Sequence, residues 1–269
     1  MPIPKLLHQI NETKNLAPMF RPYQRQLLKI HPGWDYHLHD NIDMRNTLGR
    51  YFPSLVPIYD NYPFNVQRAD LFRLVIVYVM GGFYVDLDVD CLNELDSLTA
   101  FNCVFGEEKT LTRTEAQALG HRDLLRVGNY MFGSSPGHPF LLRVVEEMVK
   151  RARTRITTEN DILETTGPGL LTTVYHDNKK AYRDIVLLRN KDRKCLSPNC
   201  SGASCHFGKY ANHHHIGSWR RQLDTRVEEY TSHEKQPLPE HSYKEALVSI
   251  QSRINKTPDS PFPGQGTGT

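Results

Sequence analysis

Net charge is nearly absent from this 269-residue chain: 33 Lys and Arg stand against 30 Asp and Glu, leaving +3. A dedicated nucleic-acid binder needs a strong basic footprint, so that class is set aside. Long apolar runs are missing as well. The run from Val75 to Met80 is far shorter than the roughly 20 residues that a membrane span requires. The opening MPIPKLLHQI reaches Asn11 and Glu12 before the apolar core of a signal peptide can develop. A soluble protein, cytoplasmic or luminal, is therefore expected, with no transmembrane segment and no nucleic-acid partner. No internal repeat is present. Cysteine is scarce and odd in number, at five. Cys91 and Cys103 lie in apolar contexts and read as buried thiols. Cys195, Cys200 and Cys205, followed by His206, have gaps at the edge of zinc-site spacing, which leaves free thiols, one disulfide or a structural zinc open.

What is present is a globular composition, 39% apolar and 23% charged, long enough for one large α/β domain or two small ones. Its organising stretch runs from Arg68 to Asp90, RADLFRLVIVYVMGGFYVDLDVD. Residues 64–80 are apolar but for Asn65, Gln67, Arg68, Asp70 and Arg73, and a segment of that length predicts a buried helix. Gly81 and Gly82 close it. The strand expected next would carry Phe83, Val85, Leu87 and Val89 on one face and Tyr84, Asp86, Asp88 and Asp90 on the other. Carboxylates two apart on a strand lie about 6.6 Å apart at the Cα, too close to be buried together unpaired. A divalent cation such as Mn²⁺ or Mg²⁺ fits there, held to neutralise a phosphate-bearing substrate. A solvated strand end explains a lone Asp-x-Asp equally well, and the surrounding motifs must separate the two.

Upstream, strands are expected over 3–10 and 34–39 and helices over 21–30 and 41–50, with a proline-punctuated connection over 52–62. Downstream, strands are expected over 102–106, 129–132 and 185–188. A polar stretch without periodicity covers 107–123, and a helix covers 139–156. Its basic end, 150–155, reads as a solvated helix terminus or as a contact for an acidic acceptor or lipid headgroup. Residues 165–169 interrupt the pattern, which resumes over 170–176. This alternation predicts an α/β protein with a mixed, mostly parallel sheet flanked by helices. Glu107, Glu108, Asp123 and Asn129 follow later strand ends, where such sheets open their crevice, and are candidates for an acceptor side.

Two further groups bear on chemistry. Asp70 and Arg73 share a polar helix face with Gln67, as an internal ion pair or as the lining of a sugar pocket. Near the other end, the three histidines of Tyr210-Ala-Asn-His-His-His-Ile-Gly-Ser-Trp219 read as a chance solvated run or as the source of an imidazole for the metal at Asp88, with Ser218 and Trp219 as donors to phosphate oxygens. A mixed carboxylate and imidazole shell leans towards Mn²⁺.

Together these blocks resemble the glycosyltransferase family described by a sugar-binding region containing a DXD motif. Arg68-Ala69-Asp70-x-x-Arg73 followed by Gly81-Gly82-x-Tyr84-x-Asp86-x-Asp88 carries its central signature. Ile3-Pro4-Lys5-x-x-His8-Gln9-Ile10 resembles its first strand, Thr166-Gly167-Pro168 its turn, and His213 with Gly217-Ser218-Trp219 its closing motif. The family includes yeast-type initiating α-1,6-mannosyltransferases, inositol-phosphoceramide mannosyltransferases and bacterial and viral capsular enzymes, and more distantly resembles the large clostridial glucosylating toxins. The resemblance implies a GT-A-like nucleotide-binding domain over 1–225, to which a helical extension over 226–257 and a disordered tail over 258–269 are appended. It implies Asp86, Asp88, Asp70 and Arg73 at the reaction centre and a metal on Asp88 and His213. His8, Gln9, Ile10, Asn11, Arg68, Tyr84, Gly167, Ser218 and Trp219 would meet the donor. The activity implied is a metal-dependent, retaining transfer of a hexose from GDP-mannose, UDP-glucose or UDP-galactose to a hydroxyl on a glycan or glycolipid. A donor hydrolase, a protein-modifying transferase and a non-catalytic homologue are the alternatives. Two departures stand out. Asn11 occupies a position where the family usually has a Trp that can stack on the base, so either base recognition is rebuilt, with Phe20 or Tyr36 as candidates, or donor affinity is poor. His215 stands where an aromatic is common.

Overall fold

The structure, a computed structural model, describes residues 1–189, 206–220 and 237–255, with only the backbone of Ser218. The first half alternates as the sequence predicts: β1 (Leu6–Ile10), α1 (Arg21–Ile30), β2 (Asp35–His39), α2 (Asn41–Tyr51), α3 (Val56–Asn61), α4 (Asn65–Met80) and β3 (Gly82–Val85). Then come β4 (Val89–Cys91), β5 (Cys103–Thr110), α5 (Arg113–Ala118), β6 (Leu125–Ser134) and α6 (Pro139–Arg151). The remainder is α7 (Glu159–Thr165), α8 (Pro168–Asn178), β7 (Ile185–Leu188), β8 (His206–Phe207), β9 (Ala211–His213) and α9 (Glu240–Ile254).

Six strands form one sheet in the order β2-β1-β3-β6-β5-β7, and β4-β9-β8 form a smaller one. In the large sheet only β6 runs against its neighbours, so the sheet is mixed and mostly parallel. One of its faces, with Tyr84, Phe105 and Phe132, packs beneath α4, α6 and α8. The other, with Phe83, Val85 and Met131, packs on α1 and the small sheet through Leu27, Val89 and Phe207. Period-two alternation thus feeds two cores from each strand.

Helix α4 is buried from Asp70 to Val79, as its near-continuous apolar sequence requires. It ends because Gly81 and Gly82 adopt φ of 70° and 90°, a region costly for residues with a Cβ. Space excludes a side chain as well: a Cβ on Gly82 would lie 2.5 Å from the Leu6 carbonyl oxygen.

Several boundaries differ from expectation. The single strand expected to carry both aspartates is broken. Strand β3 stops at Val85, the Asp86 amide makes a last bond to the Tyr130 carbonyl, and a turn closed by Val89 N–H on Asp86 O sends β4 into the other sheet. Asp86 and Asp88 therefore sit on a turn between two sheets. Strands β5 and β6 are longer than expected, because the polar residues 107–110 of β5 are held in the ladder by pairing with residues 125–127 of β6. Helix α6 ends at Arg151, and an unexpected helix, α7, started by a capping box between Thr158 and Asp161, precedes the interruption expected over 165–169, of which α8 takes up the end from Pro168. Helix α9 packs on α6 within the stretch expected to extend the domain. Cys195, Cys200, Cys205 and the tail from residue 258 lie outside the described residues. Cys91 and Cys103 are buried free thiols. Among the described residues no helix is long and apolar enough to cross a membrane.

Candidate functional site

A cleft of about 510 Å³ opens where the parallel strands end. Ile10 at the end of β1 and Asn11 just after it bound the cleft, with Asp86 and Asp88 after β3, Asn129 on β6, Glu108 on β5 and His213 on β9. Crevices outside the carboxyl ends of parallel strands are the usual ligand sites of α/β sheets.

At its centre the β3–β4 turn brings Asp86 and Asp88 against His213. One donor atom from each of the three lies within 4.8 Å of the others. His213 Nε2 is 3.2 Å from Asp88 Oδ1 and 3.9 Å from Asp86 Oδ2. Asp88 Oδ2 also accepts the Ile216 N–H at 2.8 Å. Burial pushes the Asp88 carboxyl up, but His213 and the Ile216 amide outweigh it and hold it below the ordinary value. Asp86 is displaced the other way, raised by burial and by neighbouring Asp88 against the pull of Arg73. His213, for which burial alone would favour the neutral ring, is raised because Asp88 and Asp86 surround its Nε2. The imidazole is held flat by Tyr130, whose ring stacks on it at 4.6 Å and 14°. That ring has room only because residue 128 is glycine: a Cβ there would lie 2.3 Å from it. Two carboxylates and an imidazole gathered this closely fit a divalent cation.

Beside this centre α4 contributes a buried polar wall. Arg73 lies 3.1 Å from Asp70 Oδ1 and 3.4 Å from Asp86 Oδ1, donates to the Asn129 carbonyl at 2.8 Å, and stands over the Tyr84 ring at 4.6 Å. Asp70 accepts from Asn129 Nδ2 and Thr166 Oγ1, each at 2.9 Å. Burial raises the Asp70 carboxyl to about 6 even though Arg73, Thr166 and Asn129 oppose the shift. The Tyr84 hydroxyl donates to Asp86 Oδ1 at 2.5 Å. One helix, one turn and two strands are thereby tied into a single hydrogen-bonded unit.

Of the other expected donor contacts, Ile10, Asn11, Tyr84, Gly167 and Trp219 line the cleft. Ser218 lies beside them in the chain, but its side chain is outside the described atoms. His8, Gln9 and Arg68 are placed elsewhere. His8 is fully buried, bridging His39 Nε2 and the Gly81 carbonyl at 3.0 Å each, and burial lowers its pKa to about 3. Gln9 accepts from the Tyr36 hydroxyl at 3.0 Å and reaches the Asp86 carbonyl at 3.4 Å, so it braces the β3–β4 turn from behind. Arg68 donates to the Tyr62 carbonyl at 2.8 Å, closing the end of α3. Asn11 spends its amide on the Thr13 carbonyl at 2.7 Å. Phe20 lines the cleft, whereas Tyr36 does not. Among the acceptor-side candidates Glu108 and Asn129 reach the cleft. Glu107 is buried against Arg189 and Asp123 pairs with His176. Sequence reasoning missed Tyr130 and the Ile216 amide; the nearby Gly128 is the only local sign of the first.

Residues 19–105 match the family described as "Glycosyltransferase sugar-binding region containing DXD motif". Over 199 residues the chain is 31% identical to inositol phosphoceramide mannosyltransferase 2 of Schizosaccharomyces pombe, covering 71% of this chain and 54% of that protein. It is 28% identical over 196 residues to a mannosyl phosphorylinositol ceramide synthase of Saccharomyces cerevisiae, covering 73% and 47%. An uncharacterized glycosyltransferase of Acanthamoeba polyphaga mimivirus is 27% identical over 228 residues, covering 78% and 85%. The chain spans about half the length of these yeast relatives. Among solved structures the PaToxG glycosyltransferase superposes with a TM-score of 0.50 at 14% identity, covering 94% of this chain and 87% of its own. The shared architecture is the GT-A fold.

Proposed function

From a chain whose residues 19–105 match the glycosyltransferase family with a DXD-containing sugar-binding region and which resembles its yeast mannosyltransferases, we propose a metal-dependent, retaining hexosyltransferase that uses a nucleotide-diphosphate sugar. The observation that carries this reading is the convergence of Asp86, Asp88 and His213 in the middle of the cleft, against the Asp70–Arg73 wall. Asp88 and His213, with Asp86, would hold Mn²⁺ or Mg²⁺, which would supply positive charge to neutralise the departing diphosphate. Asp70, Arg73 and Asn129 form the wall against which the hexose is oriented. Ile10, Asn11 and Phe20 bound the end of the cleft that takes the nucleoside. The Trp219 indole N–H would donate to the diphosphate, and Ser218 stands beside it in the chain. The acceptor oxygen bonds to the anomeric carbon on the face from which the diphosphate departs. The breaking bond's electron pair goes to the diphosphate oxygen, which also takes the acceptor's proton.

GDP-mannose, UDP-glucose and UDP-galactose are the donors proposed, and relatives named as mannosyltransferases support mannose. Their names also support a glycan or glycolipid acceptor. Replacing Asp88 by Ala is expected to lower Mn²⁺-dependent turnover of the donor by about 10²–10³-fold, the scale of losing one preorganised electrostatic group, while the thermal transition persists. Full activity in that variant would reject the metal assignment.

A further inference from the structure

A histidine that binds a metal ordinarily donates its other ring N–H to a carboxylate or a carbonyl, which fixes both the ring and its tautomer. His213 is held differently. Its Nε2 faces Asp88 and Asp86, while its Nδ1 is buried and has no hydrogen-bond partner among the described residues. What meets the imidazole instead is the Tyr130 ring, nearly parallel to it at 14°. That phenol sits in a slot built by the sheet. Gly106 on β5 pairs with Gly128 on β6, and Phe105 pairs with Phe132, so between these pairs β6 carries the additional residues Asn129, Tyr130 and Met131. Irregularities of this kind re-aim side chains beside a site. Neither glycine could gain a side chain without displacing the phenol: a Cβ on Gly106 would lie 2.8 Å from the Tyr130 hydroxyl oxygen, and one on Gly128 would enter the ring. The hydroxyl donates to the Glu107 carbonyl at 3.3 Å, which seats the far end of the ring.

Resting on the functional reading above, we propose that Tyr130 is a positioning residue of the metal centre: its ring, seated on the Gly106–Gly128 pair, orients the His213 imidazole in the role that a hydrogen bond to Nδ1 would otherwise fill. Stacking fixes the plane of the imidazole, and Asp88 and Asp86 fix the direction of Nε2 within that plane. The ligand atom is thereby aimed before any cation arrives. An imidazole free to turn would have to be ordered by the cation, at the expense of affinity. The ring carries this role, and the hydroxyl only seats the ring. Phe83 on Gly133 is the same packing away from the cleft: a Cβ on Gly133 would enter the Phe83 ring, and neither residue lines the site.

The test uses the whole chain with Mn²⁺ and GDP or UDP. In the metal-free protein the His213 ring protons, assigned by their loss in His213→Ala, should resonate upfield of those of an unstacked imidazole, because the Tyr130 ring current shields them. Free Mn²⁺ counted by electron paramagnetic resonance, with the nucleotide present, gives the affinity. Tyr130→Leu is expected to weaken Mn²⁺ binding about 10–100-fold, the scale of losing a group that orients a metal ligand, and to move the His213 resonances back downfield. Tyr130→Phe, which keeps the ring, should bind as the wild type does. Gly128→Ala, which displaces the ring without replacing it, should match Tyr130→Leu, and it carries the comparison should that variant not fold. Gly133→Ala, crowding Phe83 instead, should lower the transition temperature and leave Mn²⁺ affinity where it was. Unshifted His213 resonances in the wild type would overturn the proposal. So would full affinity in folded Tyr130→Leu or Gly128→Ala, or losses as large in Tyr130→Phe or Gly133→Ala. Wild-type protein that binds no Mn²⁺ with either nucleotide, or His213→Ala that binds it undiminished, would overturn the metal reading, and this inference with it.

Discussion

The two halves of α4 are buried alike but for opposite ends. Between Leu74 and Val79 every side chain is apolar or tyrosyl and packs in the core. One turn earlier Asp70 and Arg73 are almost as inaccessible, at 3% and 6% exposure, yet both are charged. The first half of the comparison is what stability alone writes into a buried helix. The second costs desolvation, which a purely structural helix has no reason to incur. The charges are tolerated because Asp86, Asn129, Thr166 and each other satisfy them, and the same partners line the cleft.

Substitutions can break that contrast in a graded way. The largest effect is expected from Arg73→Met, which leaves Asp70 and Asp86 buried without their cation. About 3–5 kcal/mol of stability should be lost, seen by denaturant titration, and donor turnover with it. Leu74→Ala in the apolar half should cost about 2–5 kcal/mol but leave kcat near that of the wild type below its lowered transition temperature. Equal damage to turnover from both would dissolve the distinction.

A pH experiment sharpens the same comparison. Because the folded Asp70 carboxyl titrates near 6, above the unfolded value of 3.8, the folded state binds the extra proton between those values. Asp70's contribution to stability is therefore present below about pH 4 and is lost as pH rises through 6. Activity needing the ionised carboxylate should rise over the upper part of that window. In Asp70→Asn the stability slope across pH 4–6 should flatten, and an unchanged slope would assign it to another group. The smallest effect is expected from Arg68→Ala, about 1 kcal/mol from the lost bond to the Tyr62 carbonyl, with Mn²⁺-dependent nucleotide affinity unaltered.

Sequence reading recovered what is local. The apolar period of α4, the glycine stop and the alternation of β1, α1 and β2 are set by neighbours along the chain, and the structure bears them out. What depends on distant partners was illegible. That β6 runs backwards between β3 and β5 leaves no mark in its own residues, and neither does the handover of the chain from β3 to β4 in another sheet. Asp86 and Asp88 could be picked out as metal candidates by residue type, but a strand placed them wrongly; the turn is imposed by β9, which arrives from more than a hundred residues later. His8 and Arg68 sit inside matching motifs and yet brace the core, because a motif marks neighbourhood in the chain and not direction of the side chain. Tyr130 on His213 was invisible for the converse reason: the contact joins two strands far apart in sequence.

Calorimetric titration of the intact protein with GDP and UDP, in the presence and absence of Mn²⁺, tests the central claim most directly. Binding of a nucleotide diphosphate that requires Mn²⁺, and that disappears in both Asp88→Ala and His213→Ala while the fold persists, is the predicted result. Nucleotide binding of equal strength without metal, or retained by those two variants, would contradict an Asp86–Asp88–His213 metal centre.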